Sequence, residues 1–400
     1  MAVRPFDPRL LRLLSFLTRR QAWLTPPEIV REFRLGGRRL GLRTVQRWLG
    51  SLRETGAFVY YPYPRANALG LQDVLVRVRG VRNPGIFGIL PFASSFNVEA
   101  GLGDGVPFVS QGYWVPGTAM AAFQDYWRAA RDLGLAERVE IFQSRNTHYL
   151  YSPFERVIQA DGTVEVPAAV DNAYFTTLAR RHLKEPFDVR LGEAYRRSPL
   201  VIPVVIEHIW GYHSSHQVWE AIRAKGVEYI HPYGKEALAR ALRKPGAALR
   251  LLQQQWAGIV VRFDEAFLQP RIAFDWTALG NAMFVSFLLT PGSTERTIEV
   301  AARASERSVY VALRPGVGYD ERCHLSCLIP GEQLLPLLEM AREFDRGHEP
   351  FVGALMNRAE TLKLFQPEYC RLDWRLFDPE TLTWRFDGDA CVGRLTSLRA

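Results

Sequence analysis

The chain has 400 residues, 48% of them apolar, so it carries enough apolar material for packed cores in more than one domain. Its apolar stretches are too short and too interrupted to span a bilayer, which argues against a membrane protein. The net charge is +8, yet residues 1–65 alone hold thirteen arginines against four acidic residues, giving +9. The positive charge is therefore local, and it predicts an anionic partner for the amino-terminal segment.

Three helices are predicted in that segment. The first covers residues 7–17, with Asp7 as its N-cap. The second starts at Thr25, where Thr25 and Glu28 flank two prolines and form a capping box. The third covers residues 41–52, and its apolar side chains recur at steps of three and four, as expected for one buried stripe. That stripe consists of Leu42, Val45, Leu49 and Leu52.

The opposite face of the third helix is basic and polar. Arginine reads guanine and glutamine reads adenine in the DNA major groove, so Arg43, Gln46 and Arg47 are predicted base readers. A strand over residues 57–61 would open a wing, which completes a winged helix-turn-helix. The alternative is an ordinary helical pair with a solvated basic face. The candidate DNA-binding residues are Arg38, Arg39, Arg43, Thr44, Gln46, Arg47, Arg53, Tyr63 and Arg65.

The next segment alternates like a half-buried strand. Val74, Val76 and Val78 share one face, and Leu75, Arg77 and Arg79 share the other. The elements that follow are a short helix, two strands, a second helix and a last strand. This order is the split βαβ plan, a four-stranded antiparallel sheet with helices on one face. The predicted bounds are 84–96, 97–102, 108–115, 118–133 and 137–142.

The second half of the chain repeats the first. Ala278-Leu279-Gly280 repeats Ala68-Leu69-Gly70, again just before a strand. The same six elements follow, which indicates a duplicated domain. Strands are predicted at 283–289, 309–313, 323–328 and 351–356, and helices at 294–305 and 331–344. A weaker winged helix is predicted ahead of the second sheet, with helices over 234–242 and 245–255 and a wing opening at 257–263.

Residues 7–145 resemble the leucine-responsive/AsnC family of transcription regulators. The likeness lies in LRTVQRWLGSLRETGAFV and in ALGLQDVLVRV. It implies a winged helix that binds double-stranded DNA, joined to a ferredoxin-like domain that dimerises and often binds an amino acid. The turn GLGDGVPF departs from the family pattern, so a small-molecule effector such as an amino acid stays open.

The predicted fold class is α+β, with winged helix-turn-helix and ferredoxin-like (βαββαβ) regulatory domains, each present twice. We expect a homodimer or an intramolecular pseudo-dimer. The predicted domains are a winged helix at 1–65, a ferredoxin-like domain at 66–160, a helical linker at 161–212, a degenerate winged helix at 213–272, and a second ferredoxin-like domain with a carboxy-terminal hairpin at 273–400.

Metal and redox motifs are weak. A metal site needs three or four converging ligands, and the histidines at 208, 213, 216 and 231 have no cysteine or acidic pair beside them. Cys323 and Cys327 are expected on one face of a strand as buried apolar residues, with His324 on the other face. We therefore expect neither metal nor cofactor. Unpaired cysteines and the lack of a signal peptide indicate a cytoplasmic protein.

These features predict a cytoplasmic, sequence-specific transcription regulator without catalytic residues. One alternative is an enzyme, because siroheme decarboxylases resemble this two-domain plan in paired form and line a tetrapyrrole pocket with histidine and arginine. The sequence has no match to their tryptophan-tyrosine-asparagine strand motif. A second alternative is a ligand-sensing scaffold that acts through protein partners.

Overall fold

The computed structural model describes residues 6–20, 24–55, 58–101, 105–144, 146–166, 172–184, 191–209, 214–231, 235–274, 278–317, 322–345, 351–355 and 372–398. These residues form a mixture of helices and strands, which confirms the predicted α+β class in its general form. Among them, no helix has the length and apolar character needed to cross a membrane.

The amino-terminal segment folds as three helices whose starts are capped locally. Asp7 accepts a hydrogen bond from the backbone N–H of Arg9 at 2.9 Å, and Glu28 accepts one from the backbone N–H of Thr25 at 2.7 Å. Such caps satisfy N–H groups that have no partner within the helix. The helices are α1 (Pro8–Arg19), α2 (Pro26–Glu32) and α3 (Leu42–Thr55).

Helix α3 buries a slightly different stripe from the predicted one. Val45, Trp48 and Leu52 are buried, whereas Leu42, at the first residue of the helix, is 40% exposed. The connection before α3 is a small hairpin of β1 (Arg34–Leu35) and β2 (Arg38–Arg39). Gly36 and Gly37 make its turn with φ of 57° and 79°, a region that favours glycine.

The predicted wings do not form as local hairpins. Strand β3 (Phe58–Pro64) pairs antiparallel with β9 (Leu268–Phe274), which lies far along the chain. The predicted second wing at 257–263 is wrong, because those residues belong to a helix, Pro245–Phe267. Strand β3, which was expected to open a local wing, thus joins the two halves of the molecule through β9.

The first half of the main sheet has four strands. In the described residues the sheet has nine strands in the order β7-β4-β6-β5-β13-β10-β12-β11-β8. Its first four positions give the order fourth, first, third and second strand, as the split βαβ plan requires. The elements are β4 (Leu71–Arg79), β5 (Ala93–Gly101), β6 (Pro107–Pro116), α4 (Met120–Asp132) and β7 (Arg138–Ser144), with a 3₁₀ helix at Pro84–Gly88 between β4 and β5.

The second half repeats this order. The elements are β10 (Ala282–Leu289), α5 (Thr294–Ser305), β11 (Tyr310–Pro315), β12 (Cys323–Pro330), α6 (Leu334–Phe344) and β13 (Phe351–Leu355).

The two halves meet in the middle of the sheet and again at one of its ends. Strand β5 pairs with β13, and β11 pairs with β8 (His148–Tyr151), which follows β7 almost directly. Ser144, at the end of β7, also bridges to Gly316, just after β11. The sheet therefore curls around an interior, with the helices α4, α5 and α6 outside.

Shorter helices and one hairpin surround this framework. The segment 161–212, predicted as a helical linker, contains helices among its described residues, and further helices follow it. The remaining helices are Phe154–Val157, Asn172–Lys184, Leu191–Arg197, Val201–Ile209, Ser215–Lys225, Glu236–Leu242 and Gly388–Thr396, and the hairpin strands are Phe377–Asp378 and Thr383–Trp384. Single-turn 3₁₀ helices lie at Asn67–Leu69, Gly117–Ala119, Val227–Tyr229, Gly331–Gln333 and Trp374–Leu376.

Candidate functional site

The two faces of the sheet differ in chemistry. Val74, Val76 and Val78 of β4 pack with residues of α4 in an apolar cluster on the outer face. Because side chains alternate along a strand, Asp73 and Arg77 point to the interior. Both are buried. Burying a charge is costly unless it is paired, so charged residues inside the curled sheet indicate a function.

A buried network joins β4 to the second half of the sheet. Arg314 donates from Nε to Oδ2 of Asp73 at 3.2 Å, and its Nη1 lies 3.4 Å from Nδ1 of His324. The hydroxyl of Thr147 also donates to Oδ2 of Asp73. Burial opposes the charge of Arg314, but Asp73, Tyr149 and Tyr63 together outweigh it, and the pKa of the guanidinium is raised. Asp73 therefore fixes Arg314, and Arg314 faces the imidazole.

The contact with Arg314 defines the tautomer of His324. A guanidinium has only N–H donors, so Nδ1 of His324 must accept and the proton of the neutral ring lies on Nε2. Among the described residues, Nε2 has no hydrogen-bond partner, although His324 is only 2% exposed. Burial lowers the pKa of His324 well below 6.5, and Arg77 and Arg314 lower it further. The site thus presents an imidazole N–H toward the interior.

Arg77 supplies a second buried cation near this imidazole. Burial lowers its pKa to about 10, although Glu99 and Glu140 act in the opposite direction. Its guanidinium carbon lies 5.6 Å from the ring centroid of Phe108. A cation held at this desolvation cost suits an anion that enters the interior.

The end of the interior nearest β3 and β9 is aromatic. The guanidinium of Arg271 lies 4.8 Å from the ring centroids of both Tyr63 and Tyr149, and Tyr63 packs edge-on against Trp114 at 5.6 Å. Burial raises the pKa of Tyr63, and the hydroxyl of Tyr149 has no partner among the described residues. Aromatic faces around a cation suit a flat conjugated ligand.

The opposite end opens to the surface. A small pocket lined by Arg77, Arg79, Phe108, Arg138 and Glu140 adjoins an open cleft of about 560 Å³. Arg79 and Arg138 line both. The cleft therefore connects solvent with the buried cation Arg77.

Two predicted DNA contacts lie in the wrong place. Tyr63 and Arg65 are 4% and 3% exposed, because β3 pairs with β9 and turns their side chains into the molecule. The predicted exposed wing contacts are therefore wrong for this pair. Thr44 is half-buried, and the side chain of Arg53 lies outside the described residues. The exposed members of the predicted set are Arg38, Arg39, Arg43, Gln46 and Arg47.

The expectation for the cysteines agrees with their placement. Cys323 and Cys327 are buried on the helix-facing side of β12, and burial raises the pKa of both thiols. No group of three potential metal ligands occurs within the described residues. His213 lies outside them, so the predicted histidine cluster has no complete description.

Sequence reasoning missed the residues that the interior brings together. Arg77 is predicted on the strand face that it occupies, but no function is predicted for it. No function is predicted for Asp73, Arg314 or His324 either. The available signal was a charged residue opposite an all-valine face, since a strand of this kind normally places its polar face in solvent.

The comparisons with known proteins concern the whole chain. No protein-family model matches it, and no curated protein matches it. The solved structure of the siroheme decarboxylase NirDL matches with a TM-score of 0.44 and 12% identity, over 97% of this chain and 98% of that chain. The same enzyme in complex with an iron-uroporphyrin III analogue matches with a TM-score of 0.41 and 14% identity, over 90% and 95%.

Both of these structures are enzymes. They contradict the prediction of a DNA-binding transcription regulator, and they contradict the prediction that the chain is not an enzyme.

Proposed function

We propose that the chain is an enzyme that removes carboxyl groups from a tetrapyrrole bearing carboxylate side chains, with siroheme as the first substrate to test. In this proposal the scaffold is a winged helix and a ferredoxin-like sheet, present twice. The carboxyl groups would be bound and released inside the curled sheet.

The observation that carries the proposal is the position of His324 between two buried arginines. Arg77 and Arg314 both act on its imidazole electrostatically, and Nε2–H faces the interior without a partner among the described residues. A decarboxylase needs a cation to hold the carboxylate and an acid to supply a proton to carbon. This arrangement provides both within one desolvated space.

The reaction follows from these groups. Arg77 and Arg314 pair with the substrate carboxylate, and the bound anion raises the proton affinity of His324, which takes up a proton from solvent and becomes an imidazolium. The bond between the side-chain CH₂ and the carboxyl carbon breaks, CO₂ leaves, and the electron pair stays on the CH₂ carbon. His324 donates its Nε2 proton to that carbon and forms a methyl group. Loss of this proton returns His324 to the neutral imidazole, so each carboxylate and one proton from solvent become CO₂ and a methyl group.

Desolvation assists the bond-breaking step. A carboxylate loses charge as it becomes CO₂, so moving it out of water favours the product side of the reaction, provided that the arginines can first bring it in. The aromatic end, with Tyr63, Tyr149 and Trp114, offers flat surfaces for the macrocycle.

The test is direct incubation of the purified full-length chain with siroheme, followed by mass spectrometry of the tetrapyrrole. We expect products that have lost CO₂. His324→Gln should bind siroheme and slow the reaction by about 10²–10⁴-fold, which is the rate enhancement that a general acid typically provides. His216→Gln, at an exposed position on the helix Ser215–Lys225, is the matched control. Unaltered siroheme with the wild-type protein would refute the proposal.

A further inference from the structure

Four arginines gather at the open end of the interior, and the decarboxylation step uses only one of them. Arg77 and Arg79 lie on β4, Arg138 begins β7, and Arg322 immediately precedes β12. Arg79 and Arg138 are direct partners across the β4–β7 pair. Arg77 and Arg79 are two residues apart on one strand face, so their backbones are about 7 Å apart.

The charges at this end are crowded. Arg79 and Arg322 both oppose the charge of Arg77, whereas Glu99 and Glu140 favour it. Arg138 forms an ion pair with Glu140 at 2.6 Å. Like charges this close together repel, and an added anion relieves the repulsion. An arginine group at the mouth of a cleft is therefore suited to a carboxylate, which arginine also recognises by shape.

The walls of the cleft are apolar. Its lining includes Val78, Val81, Val106, Pro107 and Val109, and Val106 is 41% exposed. Arg79 and Arg138 stand among these side chains, with Glu137 as the acidic residue of the lining. Apolar walls with two cations match a flat hydrophobic ring that carries acids at its edge.

We propose that Arg79 and Arg138 bind a second carboxylate of the substrate, one that is not removed, so that the site selects tetrapyrroles with several carboxylates. This inference rests on the proposed function and adds a specificity determinant to it. Arg77 would hold the reacting carboxylate inside, while Arg79 and Arg138 would hold its neighbour at the rim.

The experiment compares two probes. Iron-uroporphyrin carries acidic side chains all around the ring, whereas iron-protoporphyrin carries far fewer. Absorbance titrations of the full chain with each probe give the dissociation constants. Arg79→Gln and Arg138→Gln should each weaken binding of iron-uroporphyrin roughly tenfold, the scale of one charge-assisted contact. Binding of iron-protoporphyrin should change much less, and Arg138→Lys should restore most of the affinity for iron-uroporphyrin.

Arg128→Gln is the matched control. Arg128 is an exposed arginine on α4 and is paired with Asp125, as Arg138 is paired with Glu140. It should bind both probes like the wild type. With siroheme as substrate, the rim variants should raise KM and leave kcat unchanged, because they do not contact the reacting carboxylate.

The outcomes separate the two proposals. Decarboxylation by the wild type, combined with unchanged affinity and unchanged KM in both rim variants, would overturn the rim site and leave the proposed function standing. An equal loss for both probes would also overturn it, because the effect would not depend on carboxylates. Absence of decarboxylation by the wild type would overturn the proposed function itself.

Discussion

The two halves of the main sheet share a strand order but place different residues at equivalent positions. Leu71 of β4 lies opposite Pro116, and Ala282 of β10 lies opposite Pro330. These pairs begin the same first-to-third strand ladder in each half, so they align one half with the other. The outer faces then agree in character, since both pack apolar side chains against helices.

The interior faces differ sharply on the first strand. Asp73 of the first half corresponds to Phe284 of the second, and Arg77 corresponds to Leu288. Charged residues thus occupy β4 where β10 has an aromatic and an aliphatic residue.

On the third strand the chemistry is reversed. His324 of the second half corresponds to Ser110 of the first, and Arg322 corresponds to Phe108. The charged members of both strands come together, because Arg314 beside His324 reaches across to Asp73. Each half therefore supplies what the other lacks, and the site is a composite of the two.

The largest expected effect comes from removing the residue that joins the halves. Asp73→Ala leaves Arg314 as a buried cation without its carboxylate, and breaking a buried pair in this way costs about 3–5 kcal/mol. We expect the free energy of unfolding in urea to fall by that amount. Asp125→Ala, which breaks an exposed pair with Arg128, should change it by about 1 kcal/mol or less. Equal losses in the two variants would mean that the Asp73–Arg314 contact does not connect the halves.

A second change makes the first half resemble the second. Arg77→Leu places on β4 the residue that β10 carries at the equivalent position. We expect kcat/KM for siroheme to fall by about 10–100-fold, because one charge-assisted contact with the carboxylate is lost. Stability should fall less than in Asp73→Ala, since burial already opposes the charge of Arg77 and holds its pKa at about 10, so removing the charge also removes that desolvation cost.

The measurements for Arg77→Leu are steady-state kinetics and urea unfolding on the same preparation. Lower activity with a smaller loss of stability than in Asp73→Ala would identify Arg77 as a functional residue. A loss of stability as large as in Asp73→Ala would instead assign it a role in folding.

Much of the framework is predictable because its signals are local. The helix predicted at 294–305 has those bounds in the structure, and Ser293 caps it by accepting from the backbone N–H of Arg296 at 3.2 Å. The six-element repeat was likewise read from alternation and turn residues. The wings failed because the pairing of β3 with β9 joins distant segments, and no local pattern encodes such a ladder.

The site could not be read from the sequence for the same reason. Asp73 and His324 are far apart in the chain, and no local pattern in β4 or β12 connects them. The arginines of α3 formed a conspicuous local cluster of charge and therefore attracted the functional assignment. Arg77 and Arg79 resemble the solvent-exposed face of a strand, because the sequence does not show that the other half of the sheet covers that face.

The smallest expected effect concerns the pH dependence of stability, and it tests whether His324 is neutral in the folded protein. In the unfolded chain a histidine titrates near 6.5, whereas in the folded protein burial, Arg77 and Arg314 hold the pKa of His324 well below that value. Below about pH 6.5 the unfolded state therefore binds a proton that the folded state does not, and stability falls as pH falls until the folded pKa is reached. One proton limits the slope to about 1.4 kcal/mol per pH unit.

Urea unfolding between about pH 7.5 and 5 should show this loss in the wild type and in His216→Gln, and a weaker loss in His324→Gln. Parallel curves for all three proteins would mean that burial and the two arginines do not hold His324 neutral in the folded protein.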